Sequence, residues 1–246
     1  MPIALVTYDY ETTGPEPKID LPVQTAATLS IDGGKHLPIV HAISDPKRKI
    51  HPEAIETHGI HDHMVKGYPE PAIIVQMMGE YVDNLDYHGY TVIIAGHNTI
   101  TFDNTISERL GWNISKYLQL DTFRLARRHN PTAENHKLGD TYETLFGEVL
   151  EGCHDAMADV LGVTRVIDKY CEIYQMDHLE LAEYCSKPEP MSVIPFGKHK
   201  GKPFKDLPNG WVKFMVTKTQ IIHEDADFRE SVKTHFRYLY DAHYSR

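Results

Sequence analysis

The chain has little cysteine, no long apolar run and too few basic residues to balance its acids, and each shortage excludes something. Three cysteines in 246 residues (Cys153, Cys171 and Cys185), an odd number without ligand-type spacing, exclude a disulfide framework and a thiolate zinc centre. They suit a reducing compartment, and the expectation is a cytoplasmic protein of a bacterial or phage-infected cell. No stretch of about 18 apolar residues is present for a membrane span. No basic segment leading into an apolar one opens the chain as a leader would. Lys and Arg number 25 against 35 Asp and Glu, which argues against a simple cationic coat. The deficit is local: residues 1–185 hold 14 basic and 28 acidic residues, whereas 186–246 hold 11 and 7. An acidic body with a basic tail predicts that the body holds metal and the tail a polyanion.

What is present reads as one large core with a small module behind it. The opening PIALVTY is a strand, and VQTAATLSI (23–31) and HLPIVHAIS (36–44) are strands joined across Asp32-Gly33-Gly34, a hairpin signal. Residues 52–66 hold short His-rich helical pieces broken by Gly59, and PEPAIIVQMMGEYVDNL (69–85) is an amphipathic helix opened by proline. TVIIAGHN (91–98) is a buried strand running into a polar turn. Helical patterns follow near 103–111, 121–129, 138–147, 155–173 and 177–186. Strands first, then a strand with helices, predict an α/β or α+β layer fold, a mixed sheet flanked by helices, over residues 1–185, with α/β the class expected. Two prolines make 186–190 a linker, and 191–246 a small basic C-terminal module.

The first strand ends in YDYETTG (8–14). Its period of two puts Asp9 and Glu11 on one face, where like charges repel unless a cation lies between them. Asp103 follows the strand at 91–98 and opens a helix, and Asp159 lies about one turn inside the helix that follows CHD (153–155). Four acids from three distant segments thus converge on a candidate cation site, and oxygen ligands without thiolates favour Mg²⁺ or Mn²⁺. His154 and Asp159, five apart, would lie about 140° apart around a continuous helix. The expected resolution is that Asp155 caps the helix, leaving His154 in the preceding loop and free to act as a base near neutral pH. Asp155 is also a rival ligand by face. His58, His61 and His63 invite a zinc site, but Gly59 and Asp62 read as loop and no fourth ligand is apparent.

Asp-x-Glu-Thr-Thr-Gly at 9–14, His-Asn followed by Phe-Asp at 97–103, and His154 five before Asp159 together resemble the DEDDh (DnaQ-like) 3′-to-5′ exonucleases. HPEAIETHGI (51–60) and LDTFRLARRHNP (120–131) look like that family's intervening segments, so the resemblance spans about residues 3–170. Three residues separate Asn98 from Phe102 here, where many family members have two. The resemblance implies a ribonuclease H-like fold and two Mg²⁺ or Mn²⁺ ions. Asp9 would lie between them, Glu11 and Asp159 would complete one site, and Asp103 the other. His154 would be the general base, and 5′-mononucleotides would leave from the 3′ end of DNA. It also implies substrate contacts from Thr12, Thr13, His58, Gly59, Ile60, Asn98 and Phe102. Thr12 and Thr13 equally read as a turn, and Ile60 and Phe102 equally as core. An RNA-directed relative, or a proofreading subunit whose tail meets a polymerase or repair partner, are the alternative readings.

In the tail, PFGKHKGKPFKDLPNGWVKFM (195–215) interleaves lysines with Phe196, Phe204, Trp211 and Phe214. It is no P-loop, since Pro203 stands where Ser or Thr is required. Lys198, Lys200 and Lys202 are expected to contact nucleic acid, while the aromatics either stack on bases or form the core of a small hairpin. The Phe-Gly-Lys-x-x-Gly-Lys pattern looks like the C-terminal segment of exodeoxyribonuclease X-type enzymes.

Overall fold

A computed structural model describes residues 1–244. The chain divides into two compact units: Met1–Phe123 with Lys137–Ser186, and Arg124–His136 with the chain from Lys187 onward. Among the described residues no helix is long and apolar enough to cross a membrane.

The first unit is built on β1 (Ile3–Thr12), β2 (Pro22–Ile31), β3 (Leu37–Ile43), β4 (Thr91–Gly96) and β5 (Leu118–Asp121). Its helices are α1 (Pro52–His58), α2 (Asp62–Val65), α3 (Pro71–Tyr87), α4 (Asp103–Arg109), the start of α5 (Thr122–His129), α6 (Leu138–Phe146), α7 (Ala156–Tyr174) and α8 (His178–Ser186). The sheet order is β3-β2-β1-β4-β5, antiparallel on the β2 side of β1 and parallel on the β4 side. The meander turns where expected: Asp32 and Gly33 both have positive φ (49° and 71°), and Gly34 N–H bonds to Ile31 O at 2.9 Å. Two successive positive φ values match the twist of a two-strand ribbon, which is why Asp-Gly stands there.

Parity along β1 divides its neighbours. Ala4, Val6, Tyr8 and Tyr10 face a core with Val75, Met78 and Val82 of α3, Ile106 of α4, and Trp112. On the other face, α7 packs across β1 and β2, with Ala156 and Val160 against Ala26. Pairing of β1 with β4 runs only from Ile3↔Thr91 to Thr7↔Ala95, whereas pairing with β2 continues to Thr12. The end of β1 is therefore open on its β4 side, at the carboxyl end of the strands where the chain order reverses. That is the position at which α/β sheets form their ligand crevices. At the same edge Gly96 is obligatory, because a Cβ there would overlap the Thr99 side chain and come within 3.0 Å of Tyr8 O.

The second unit is helical, not a hairpin. A single bridge, Val193↔Pro203, and two 3₁₀ turns (Gly197–His199 and Phe204–Asp206) lead into α9 (Asn209–Lys218), α10 (Ile221–Glu224), α11 (Ala226–His235) and α12 (Arg237–His243). Phe204, Val212, Phe228 and Val232 are buried at its centre, with Phe196 and Trp211 packed against them. The segment expected to be a linker is held inside this unit. Arg128 donates to Lys187 O at 2.6 Å, and Glu189 N–H to Asp227 Oδ1 at 2.9 Å. Residues 124–136, expected with the body, group here for the same reason. Buried Asp227 accepts from both Arg124 (Nε at 3.1 Å) and Arg128 (Nε at 2.9 Å), and Arg127 pairs with Asp225 at 2.7 Å.

Candidate active site

The alternation of YDYET assigns two jobs to adjacent residues. Tyr8 and Tyr10 point to the back of the sheet, where Tyr8 OH donates to Asn104 Oδ1 (2.7 Å) and Tyr10 OH meets Ser107 Oγ (2.8 Å). These bonds hold the first turn of α4 from behind. Asp103 opens that turn, and its carboxylate accepts the Tyr10 N–H at 3.2 Å, a donor with no partner strand beside it because β4 has already ended. Asp9 and Glu11 project to the other face, toward α7.

At the start of α7 the Asp155 side chain accepts from Met157 N–H and Ala158 N–H, both 3.1 Å, as a helix cap. Gln24 of β2 completes the joint, donating to Asp155 Oδ2 (2.8 Å) and accepting Ala156 N–H (3.1 Å). Burial works against the Asp155 charge, but the bonds from Gln24 and the helix N–H groups outweigh it and hold its pKa below the ordinary value. His154 lies before the cap with φ +69°, a left-handed conformation that is strained for histidine, and its N–H donates to Asp159 Oδ2 at 3.0 Å. The conflict between helical spacing and a shared site is resolved as the cap predicted.

Asp9, Glu11, Asp103, His154 and Asp159 line one cleft of about 220 Å³, together with Tyr10, His97, Asn98, Phe102 and Leu138. Ligand atoms of Glu11, His154 and Asp159 all lie within 4.8 Å of one another. Burial, then repulsion from the neighbouring acids, pushes Asp9 well above its ordinary value and Glu11 to about 8; Asp159 rises through burial, against the lowering effect of His154; and Asp103 rises to about 8, through burial first. Partly desolvated carboxylates with no cationic side chain among them fit hard divalent cations, whose charge would offset what burial costs.

Several expected substrate contacts are otherwise employed. Thr13 is fully buried and its hydroxyl donates to Asp20 Oδ1 (2.7 Å), while Thr12 donates to Gly14 O (2.7 Å), so neither hydroxyl hydrogen is left for a ligand. These threonines build the turn. His58 bridges Thr12 O (3.1 Å, from Nε2) and Ile60 N–H (3.0 Å, to Nδ1), which uses both ring nitrogens. Burial lowers its pKa, consistent with this neutral tautomer. Gly59, at φ +72°, ends α1, and Ile60 joins the core of Val23, Ile50 and Val65. Among the described residues the one group of three ligand-type side chains close enough to share a metal is Glu11, His154 and Asp159, and His58, His61 and His63 do not form another. Asn98 and Phe102 do line the cleft. Lys198 and Lys202 are exposed, but the Lys200 ammonium bonds to Glu134 O within its own unit.

Sequence reasoning passed over Asp121. This buried residue closes β5 and accepts N–H bonds from Asn98 (2.9 Å), Ile100 (3.2 Å) and Phe123 (2.9 Å), and so fixes the extra-length turn between Asn98 and Phe102. The signal that picked out Asp9, an acid ending a buried strand, was present there too.

A mixed sheet of this order, with acids gathered at the open end of its central strand, is the ribonuclease H-like fold of nucleases. The sequence profile described as Exonuclease matches residues 6–167, and the chain belongs to that family, which is divalent-metal dependent. It is similar to the PolC-type DNA polymerase III of Listeria innocua (30% identity; 62% of this chain, 10% of the relative). The same enzyme of Halalkalibacterium halodurans is 31% identical over 63% of this chain and 10% of its own length. The chain thus spans about a tenth of these curated relatives. The solved Escherichia coli exonuclease I in complex with a dA16 oligonucleotide superposes with a TM-score of 0.56 at 20% identity, over 74% of this chain and 42% of that one. The family match ends at residue 167, so of the second unit it covers Arg124–His136 and not the chain from Lys187 onward.

Proposed function

We propose that this protein removes 5′-mononucleotides from the 3′ end of DNA by hydrolysis with two Mg²⁺ or Mn²⁺ ions. The observation that carries the proposal is the gathering of Asp9, Glu11, Asp103 and Asp159, with His154, around one cleft. The four carboxylates would hold the cations. Bound there, the ions supply Lewis-acid stabilisation of the attacking and leaving oxygens in an in-line displacement. His154, exposed at the rim, takes the proton of the attacking water through an imidazole nitrogen as the new P–O bond forms. The bond between phosphorus and the preceding nucleotide's O3′ breaks, and that oxygen takes a proton from solvent to become the new 3′-hydroxyl, while His154 returns its own to solvent. Phe102 and Leu138 give the cleft an apolar wall against which any base can rest. Similarity to DNA polymerases, and the oligodeoxynucleotide in the E. coli neighbour, support DNA over RNA. The same relatives favour, as a second reading, a proofreading role beside a polymerase. The Lys-rich tail supports an exodeoxyribonuclease X-type assignment.

The test is digestion of 3′-labelled DNA and RNA oligonucleotides with Mg²⁺, Mn²⁺ or EDTA beside Asp9→Ala. Cation-dependent release of mononucleotides from DNA, lost in the variant, is expected. Release from RNA alone would replace the substrate, and release by Asp9→Ala equal to wild type would remove this site from the chemistry.

A further inference from the structure

The second unit carries a lysine-rich, acid-poor stretch that is largely exposed. Between residues 191 and 223 there are six lysines and one acid, Asp206. Elsewhere in the unit Asp227 and Asp225 pair with arginines, Glu230 with Lys233 and Asp241 with Arg237. Lys198, Lys202, Lys213 and Lys218 are exposed, and none makes an ion pair among the described residues. Helix α9 buries Val212 and Val216 on one side. At about 100° per residue, Phe214 lies opposite that stripe, with Lys213 and Lys218 flanking it. Phe214 is 53% exposed, in a unit whose other phenylalanines are packed inward. Trp211 borders the same face and meets the His199 ring edge-on at 5.2 Å. Lys198 is the neighbour of His199 in the chain, and the Lys202 N–H donates to His199 O at 3.0 Å, so both lysines belong to the same turn as that ring. Phe214 thus shares the exposed side of α9 with Lys213 and Lys218, and the contact between His199 and Trp211 brings the turn that carries Lys198 and Lys202 to the border of that side.

We infer that this surface binds a nucleic-acid single strand, with Phe214 stacked on a base and Lys198, Lys202, Lys213 and Lys218 on the phosphates. Four point charges without an aromatic would suit any polyanion, and a duplex hides the base faces that Phe214 would cover. The choice of DNA rests on the proposed function, but the binding does not depend on catalysis. This revises the expectation for the tail: Lys200 is excluded by its bond to Glu134 O, and the surface extends onto α9.

The experiment is fluorescence anisotropy of 5′-fluorescein-labelled dT20 with the full chain in EDTA, where no turnover occurs. Phe214→Ala is expected to weaken binding about 5- to 150-fold with an unchanged salt slope. Replacing Lys198, Lys202, Lys213 and Lys218 together by Ala should flatten the slope of log K against log salt by about 3. All five side chains are exposed, so unchanged far-UV circular dichroism identifies folded variants. Binding by both variants equal to wild type, or equal competition by a blunt hairpin duplex, overturns the inference. Because hydrolysis is read separately, binding without cleavage would sink only the proposed function, and cleavage without an effect of these variants would sink only the inference.

Discussion

His154 carries two properties that pull in opposite directions. Its imidazole lines the acid-rich cleft, where the proposed function needs a base, while its backbone occupies a conformation that costs a non-glycine residue about 1–3 kcal/mol. Removing the side chain separates them. His154→Ala and His154→Gly should both lower kcat about 10²- to 10⁴-fold, with Gly unfolding at higher urea than Ala because it relieves the strain. Equal urea midpoints for the two would mean that φ at this position is not strained in solution. The gathering of the acids at one cleft was legible in the sequence because a charge inside a buried strand or beside a helix start is an anomaly that needs a cause. Thr13 and Ile60 were not, since a threonine or isoleucine beside a motif serves packing as readily as binding, and only burial decides which.

At the scale of elements, the joint between β2 and α7 sets where Asp159 stands. Gln24 satisfies both Asp155 and the Ala156 N–H, so Gln24→Ala leaves two partly buried polar groups unmatched. A loss of about 2–4 kcal/mol of unfolding free energy is expected, read from urea denaturation, with a fall in kcat larger than that of an exposed-surface control. An unchanged midpoint would mean that water replaces the glutamine. The elements themselves were readable. The Asp-Gly turn, the alternation in β1 and the apolar stripes of α3 and α7 appear close to their predicted bounds, because local periodicity determines them. The grouping of 124–136 with the tail was not readable, since it depends on arginines meeting an aspartate about a hundred residues on, and no local pattern encodes that.

For the molecule as a whole, the two units respond to acid for different reasons, and that of the second can be stated with its sign. Burial alone would raise the Asp227 pKa, but bonds from Arg128 and Arg124 outweigh it and hold the group well below the ordinary carboxylate range. Its contribution to stability is therefore complete above the unfolded value of about 4 and is lost as pH falls toward the folded value. Wild-type protein should lose tail stability steeply below about pH 4. Asp227→Asn should be less stable at pH 7 and show a flatter acid limb, followed by the exposure of Trp211 through its fluorescence. An acid limb as steep in the variant as in wild type would mean that other carboxylates carry the dependence. The opposing net charges of body and tail, visible in composition alone, correspond to an acid-lined cleft in one unit and a lysine face on the other.

Tyr8, Asp9, Tyr10 and Glu11 alternate between scaffold and chemistry along one strand, and this has a consequence for how the gene can vary. Point changes affect one job at a time. A single codon inserted or deleted ahead of this run would reverse the parity of everything after it, turning the tyrosines into the cleft and the acids into the apolar core. The stretch should therefore be intolerant of length variation even among descendants that have exchanged most of their other residues.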